Sequence, residues 1–182
     1  MSERGDELDA PQLRVLFEEL SQRLSARGLK AQLFVVGGAA MALEYDGGRL
    51  TGDVDAIFEP TGEVRRIVEE MGEQHDLEPD WLNDAAKGYM PGQDERPRTV
   101  FESASLIVQV PSPEYLLAMK LHSSRDERDL ADAAKLFNIA GYATAQQARN
   151  LLVRTYGTSQ LLPRHKYVID DVASRAARAT SA

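Results

Sequence analysis

The segment GGAAMALEYDGGRLTGDVDAIF, Gly37 to Phe58, constrains this chain more than any other. Asp53 and Asp55 stand one residue apart and run into the apolar pair Ile57–Phe58. The alternation in GDVDAIF predicts a strand, and in a strand residues i and i+2 project from one face. Two carboxylates so placed repel each other unless a cation lies between them. Ahead of them the apolar run in KAQLFVVGG predicts a buried strand. Gly37–Gly38 end that run and open AAMALEYD, whose small and apolar residues predict a packed helix. The segment therefore reads strand, glycine bend, helix, strand, with two anions on one strand face.

The rest of the chain supplies the elements to house it. PQLRVLFEELSQRLSARGL places Leu13, Leu16, Phe17, Leu20 and Leu24 at helical spacing, with Pro11 suited to the first turn and Gly28 as the stop. GEVRRIVEEMGEQHDL presents Val64, Ile67, Val68 and Met71 as the apolar stripe of another helix. Between Glu78 and Thr99, three prolines and two glycines predict irregular chain, with a short strand or helical turn around Trp81. FESASLIVQVPSP predicts a strand ending near Val110, and four helical patterns follow, from PEYLLAMKLHSS to RHKYVIDDVASRAARA. The expected class is α+β: a small mixed β-sheet with flanking helices, followed by a helical C-terminal part. A length of 182 residues suits one domain. Its core is expected over residues 28–111 and its helical part over 112–182.

Composition removes several function classes. The formal charge of −8, from 29 acids and 21 bases, excludes a surface that grips nucleic acid everywhere. Arg164, Lys166, Arg175 and Arg178 still form a local basic patch in the last helical pattern. The absence of cysteine excludes disulfides, thiolate metal sites and a cysteine nucleophile. The polar start MSERGDELDAPQ is unlike a signal peptide, and no apolar run reaches membrane-spanning length, so a cytoplasmic protein without membrane contact is expected. His75, His122 and His165 are scattered without metal-ligand spacing and are read as structural or exposed.

Hard carboxylate oxygens suit Mg²⁺ or Mn²⁺, which keeps positions open for phosphate oxygens. A glycine bend that opens a helix lets backbone N–H groups approach a phosphate. The plain alternative is that Asp53 closes a turn after Gly52, Asp55 caps an exposed edge, and the glycines serve only their φ range.

VVGGAAMAL followed by GRLTGDVDAIF resembles the nucleotidyltransferase superfamily with a DNA polymerase β-like core, whose signature is a glycine turn followed by a D-x-D strand. The likeness is greatest to a small prokaryotic branch with the pattern G-G-x-A, then R-x-T-x-D-[IV]-D, which includes the AbiEii-type nucleotidyltransferase toxins. Gly37, Gly38, Ala40, Arg49, Thr51, Asp53 and Asp55 fill its fixed positions. PEYLLAMKLHSSRDERDLADAAKLF resembles the downstream block of that branch, with Lys120, Asp129 and Asp132 in place and Arg125 between. Together the two likenesses span Leu33 to Phe58 and Pro113 to Phe137.

The resemblance implies Mg²⁺-dependent transfer of a nucleoside monophosphate from a nucleoside triphosphate to an acceptor hydroxyl. Asp53 and Asp55 would ligate the ion, Gly37–Gly38 would hold the β and γ phosphates, and Arg49 and Thr51 would lie at the nucleotide. Lys120 would neutralise triphosphate charge, while Asp129 and Asp132 would hold Lys120 or help to bind substrate. The plain alternatives are that Lys120 snorkels at a solvent edge, Arg49 pairs with a nearby acid, and the two later aspartates are solvated. Toxin relatives imply tRNA as acceptor and a cognate antitoxin as partner. Many members carry a third carboxylate on a later strand, but SLIVQV offers Gln109 there, with Glu102 the nearest acid. A glutamine orients groups but takes no proton. The rival functions are an antibiotic-type small-molecule transferase with an acidic pocket from GQDERP and Glu102, a non-catalytic nucleotide-binding or partner-binding module, and an α+β domain whose D-x-D is structural. Trp81 is read as core or lid packing, with base stacking as its functional alternative.

Overall fold

In the computed structural model, which describes residues 7–181, the first helix begins where two side chains satisfy its opening donors. Asp9 accepts from Gln12 N–H at 2.8 Å, and the Gln12 side chain accepts from Asp9 N–H at 2.9 Å. This is α1 (Ala10–Ala26), with the five predicted apolar residues buried on one stripe. The chain divides into two compact units. One runs up to Gly88 and resumes over Pro97–Pro111; the other comprises Tyr89–Arg96 and the chain from Ser112.

In the first unit, β1 (Ala31–Val35) leads to a helical turn, α2 (Gly37–Ala40), which continues as a π-helical turn over Met41–Tyr45. Then come β2 (Val54–Glu59), α3 (Thr61–His75), β3 (Leu82–Asn83), β4 (Arg98–Glu102) and β5 (Leu106–Val110). The sheet order is β3-β2-β1-β5-β4. β1 runs antiparallel to β2 and parallel to β5, β3 is parallel to β2, and β4 is antiparallel to β5. The sheet is therefore mixed.

Alternation decides which face is covered. Leu33, Val35, Val54, Ala56, Phe58, Leu106, Val108 and Val110 are buried, and α1 and α3 pack on β5 and β2 and on each other. Each of these leucine, valine and phenylalanine side chains contributes about 1.5–3 kcal/mol by leaving water. The intervening residues form the opposite face, where Ile57 pairs with Phe34, Phe34 with Gln109, and Gln109 with Thr99. Phe34, Ile57 and Gln109 are only partly buried, and Thr99 is exposed. Asp55 belongs to this open face, paired with Asn83 across β2 and β3.

In the second unit, α4 (Pro113–Ser123), α5 (Glu127–Ile139), α6 (Ala145–Tyr156) and α7 (Pro163–Thr180) pack together. α4 is buried from Tyr115 to Leu121 on all sides, Lys120 included. Ser112, at its start, donates through N–H and Oγ to Asp94 at 2.6 and 3.0 Å. Asp126 caps α5, and Thr144 with Gln147 forms a capping box on α6. Among the described residues no helix is long and apolar enough to cross a membrane.

The class is α+β with a helical C-terminal part, as the patterns predict. Two local expectations need correction. FESASLIVQV is a hairpin rather than one strand, turned by Ser103, whose Oγ accepts from Ser105 and Leu106 N–H at 3.1 and 2.9 Å. β4 escapes notice because an exposed edge strand with Arg98, Thr99 and Glu102 carries no apolar run. AAMALEYD is not a regular α-helix, since its second half winds as a π turn.

Candidate functional site

The acidic strand and the glycine bend are fastened to each other through the backbone. Val36 N–H donates to Asp55 O at 2.8 Å, and Val54 N–H donates to Trp81 O at 2.7 Å. This leaves the half-buried Asp55 side chain beside the bend: a methyl group on Gly37 would stand 3.3 Å from Asp55 Oδ2. Gly37 also has φ of 64°, a conformation that costs other residues about 1–2 kcal/mol. At Gly38 a methyl group would lie 2.9 Å from Thr51 Oγ1 and 3.3 Å from Arg49 Nη2. The fold thus brings Gly37, Gly38, Arg49, Thr51 and Asp55 together.

Thr51 is buried and secured three ways. Its Oγ1 donates to Asp53 O at 2.9 Å, and its backbone exchanges two hydrogen bonds with Leu8, at 2.7 and 3.0 Å. The Arg49 guanidinium donates to Leu50 O. Asp53 is exposed, and its Oδ2 accepts from Asn83 Nδ2 at 3.3 Å. Because Thr51 cannot retreat, Gly38→Ala is expected to destabilise the fold by about 1–3 kcal/mol, as overpacking does. Urea unfolding checks it; a midpoint equal to the wild type would show that Thr51 moves aside freely.

Among the described residues no group of three or more His, Asp or Glu side chains is disposed to hold a metal ion. Asp53 lies just ahead of β2 rather than within it, so the expectation of two carboxylates on one strand face needs correction: only Asp55 is on the strand and beside the bend. The Asp55 carboxylate, with the exposed Asp53 two residues before it, nevertheless fits Mg²⁺ or Mn²⁺, which binds through one or two carboxylates together with phosphates and water. Gln109 lies on the same sheet face as Asp55 and donates to Thr99 Oγ1 at 3.3 Å. Glu102 pairs with Ile107, at the end of β4 away from the bend. No acid therefore occupies the later-strand position.

The downstream block lies in the second unit. Lys120 Nζ donates to Asp129 Oδ1 at 2.7 Å and Asp132 Oδ2 at 2.9 Å, with the lysine and Asp132 side chains 9% and 5% exposed. Lys120 is thus not a snorkelling surface lysine. Burial alone would raise the Asp129 carboxyl. The Lys120 hydrogen bond and charge, aided by the Arg125 N–H, outweigh this and hold it below the ordinary 3.8. A depressed folded-state value stabilises the fold above the unfolded value and loses that contribution as pH falls through the folded one. Asp129→Asn is accordingly expected to reduce stability near neutral pH and flatten its decline below about pH 4. Urea midpoints from pH 7 to pH 2 check this; parallel curves would contradict it.

Other predicted residues resolve as follows. Trp81 is a core residue, 1% exposed, with Nε1 donating to Val68 O at 3.0 Å, so it offers no face to a base. His122 and His165 are not scattered: their rings lie 5.1 Å apart, and His122 stacks on Tyr156 at 4.0 Å. Leu162 N–H donates to His165 Nδ1, so Nε2 donates to His122 O. In the basic patch, Lys166 pairs with Asp170 at 2.7 Å, Arg175 pairs with Glu127 and Asp171, and Arg164 donates to the carbonyls of His122 and Ser124. Asn83 was missed altogether, for it carries no motif and reaches the site only through the register of a two-residue strand.

The model of a family described as "Nucleotidyltransferase of unknown function (DUF6036)" matches residues 11–138. The chain belongs to this family. The matched span of this nucleotidyltransferase-family chain runs from α1 to the end of α5 and holds both motif blocks, from Gly37 to Asp132. No curated protein and no solved structure matches the chain.

Proposed function

We propose that the chain is a metal-dependent nucleotidyltransferase that moves a nucleoside monophosphate from a nucleoside triphosphate to an acceptor hydroxyl. The observation that carries this reading is the Asp55 carboxylate set against Gly37, where even a methyl group would stand 3.3 Å from Oδ2. In the reaction the acceptor hydroxyl oxygen bonds to the α-phosphorus and gives up its proton to solvent, while the α–β phosphoanhydride bond breaks and pyrophosphate leaves. Mg²⁺ or Mn²⁺, when bound, supplies charge neutralisation at the triphosphate. Asp53 and Asp55 are the residues to hold that ion. The Gly37–Gly38 backbone, without side chains, lets phosphate oxygens come close, with Arg49 and Thr51 packed at Gly38. Gln109 can orient a group on the open face but takes no proton.

Lys120, Asp129 and Asp132 enter the proposal as an ion-pair set that holds α4 against α5, which is the role their mutual distances support. For the acceptor, tRNA follows from the toxin-like branch, and so does an antitoxin partner. The pairing of Lys166 and Arg175 with acids on their own unit leaves α7 a poorer phosphate surface than its composition suggests. The test is label transfer from each α-labelled triphosphate, with Mg²⁺, to total tRNA and to a panel of hydroxylated small molecules. Transfer to tRNA supports the toxin-like reading and transfer to a small molecule the antibiotic-type one. Triphosphate binding without any transfer indicates the non-catalytic module.

A further inference from the structure

We infer that Asn83 is a positioning residue that aims the Asp53 carboxylate at the metal seat; this rests on the two-aspartate reading above. The orientation of its amide is fixed by a neighbour that can only donate. Ala85 N–H donates to Asn83 Oδ1 at 3.0 Å, so the oxygen faces the turn and the NH₂ group faces the other way. That group has two hydrogens and meets two acceptors, Asp53 Oδ2 at 3.3 Å and Asp80 O at 3.3 Å. The amide is thus fully used, and one Asp53 oxygen is held while the other is left to a ligand.

The placement of Asn83 is built from the core outward. Trp81 is buried against α3, its carbonyl accepts from Val54 N–H, and the next two residues form β3 beside β2. Asn83 then sits in register with Asp55 on the open face. Asn83 is therefore placed beside both aspartates, paired with one and bonded to the other. A neutral amide suits the task. A lysine or arginine would neutralise the carboxylates and compete with the cation, whereas a third carboxylate would add to their repulsion. Partners that orient a ligating carboxylate typically change metal affinity 10–100-fold when lost.

The test is Mn²⁺ titration of the full chain by electron paramagnetic resonance, with melting temperatures recorded in the absence of metal. Asn83→Ala removes the donor and is expected to weaken Mn²⁺ binding about tenfold with little change in melting temperature. Asn83→Asp keeps an acceptor for Ala85 N–H, removes the donor and adds charge, so it is expected to bind Mn²⁺ at least as tightly as the wild type. Affinity within twofold of wild type in Asn83→Ala would overturn the inference. So would weakening of both variants in step with lost melting temperature, which marks a merely structural residue. Asp55→Asn, titrated alongside, separates the two levels of argument. If it binds Mn²⁺ like the wild type, the two-aspartate seat itself is wrong; if it loses binding while Asn83→Ala does not, only the role of Asn83 fails.

Discussion

Asp55→Asn is expected to reduce nucleotidyl transfer about a thousandfold or more, equivalent to about 4 kcal/mol of lost transition-state stabilisation, while leaving the fold intact. Asparagine has the shape of aspartate, and the hydrogen bond that joins β2 to the bend uses the backbone carbonyl of residue 55, which the substitution leaves in place. What goes is a charge, and with it one of two anionic donors. Without metal the variant is expected to melt close to the wild type, because asparagine fills the same volume and can still form hydrogen bonds. With saturating Mn²⁺ the wild type should gain melting temperature by mass action and the variant should not. Label transfer and metal-dependent melting together check the claim. Unchanged transfer would contradict it, and a collapse of the metal-free protein would show that Asp55 is structural.

The second large effect concerns stability rather than chemistry. Lys120→Ala is expected to destabilise the second unit by about 3–5 kcal/mol, because it strands the buried Asp132 carboxylate and the partly buried Asp129. Removing all three charges together, with Lys120→Met, Asp129→Asn and Asp132→Leu, should recover most of that loss, since apolar replacements of a buried ion pair are often neutral or stabilising. Thermal unfolding measures both; at 182 residues the single variant should melt lower by about 10 °C. A single variant as stable as the wild type would show that the lysine is not holding α4 to α5. The pair of variants also guards against a misreading, because lost transfer in Lys120→Ala alone reflects unfolding as much as chemistry. Transfer retained by the triple variant assigns the set to stability.

The legible parts of this chain were those written in local periodicity. The α1 stripe from Leu13 to Leu24 and the alternation from Val54 to Phe58 state their burial directly, because one face of each meets the core. The two glycines and the D-x-D were also legible, as short-range patterns with a physical reason. Long-range register was not. Asn83 lies among prolines and glycines, and nothing near it in the chain announces that Trp81 will pin it beside Asp55. β4 was hidden because an edge strand with polar residues has no apolar signature. The histidines looked independent because nothing in the chain between them reveals that α4 and α7 pack together. The basic residues of α7 looked available because the partner of Arg175 on α5, Glu127, is remote in sequence, although the four-residue spacing of Lys166 to Asp170 and Arg175 from Asp171 could have been read.

Diffraction from crystals soaked with Mn²⁺ and a non-hydrolysable nucleoside triphosphate tests the central claim most directly. The account predicts an anomalous peak bonded to carboxylate oxygens of both Asp53 and Asp55, with phosphate oxygens on its remaining positions and against the Gly37–Gly38 backbone. A nucleotide bound elsewhere, or a manganese peak that touches neither aspartate, would contradict it.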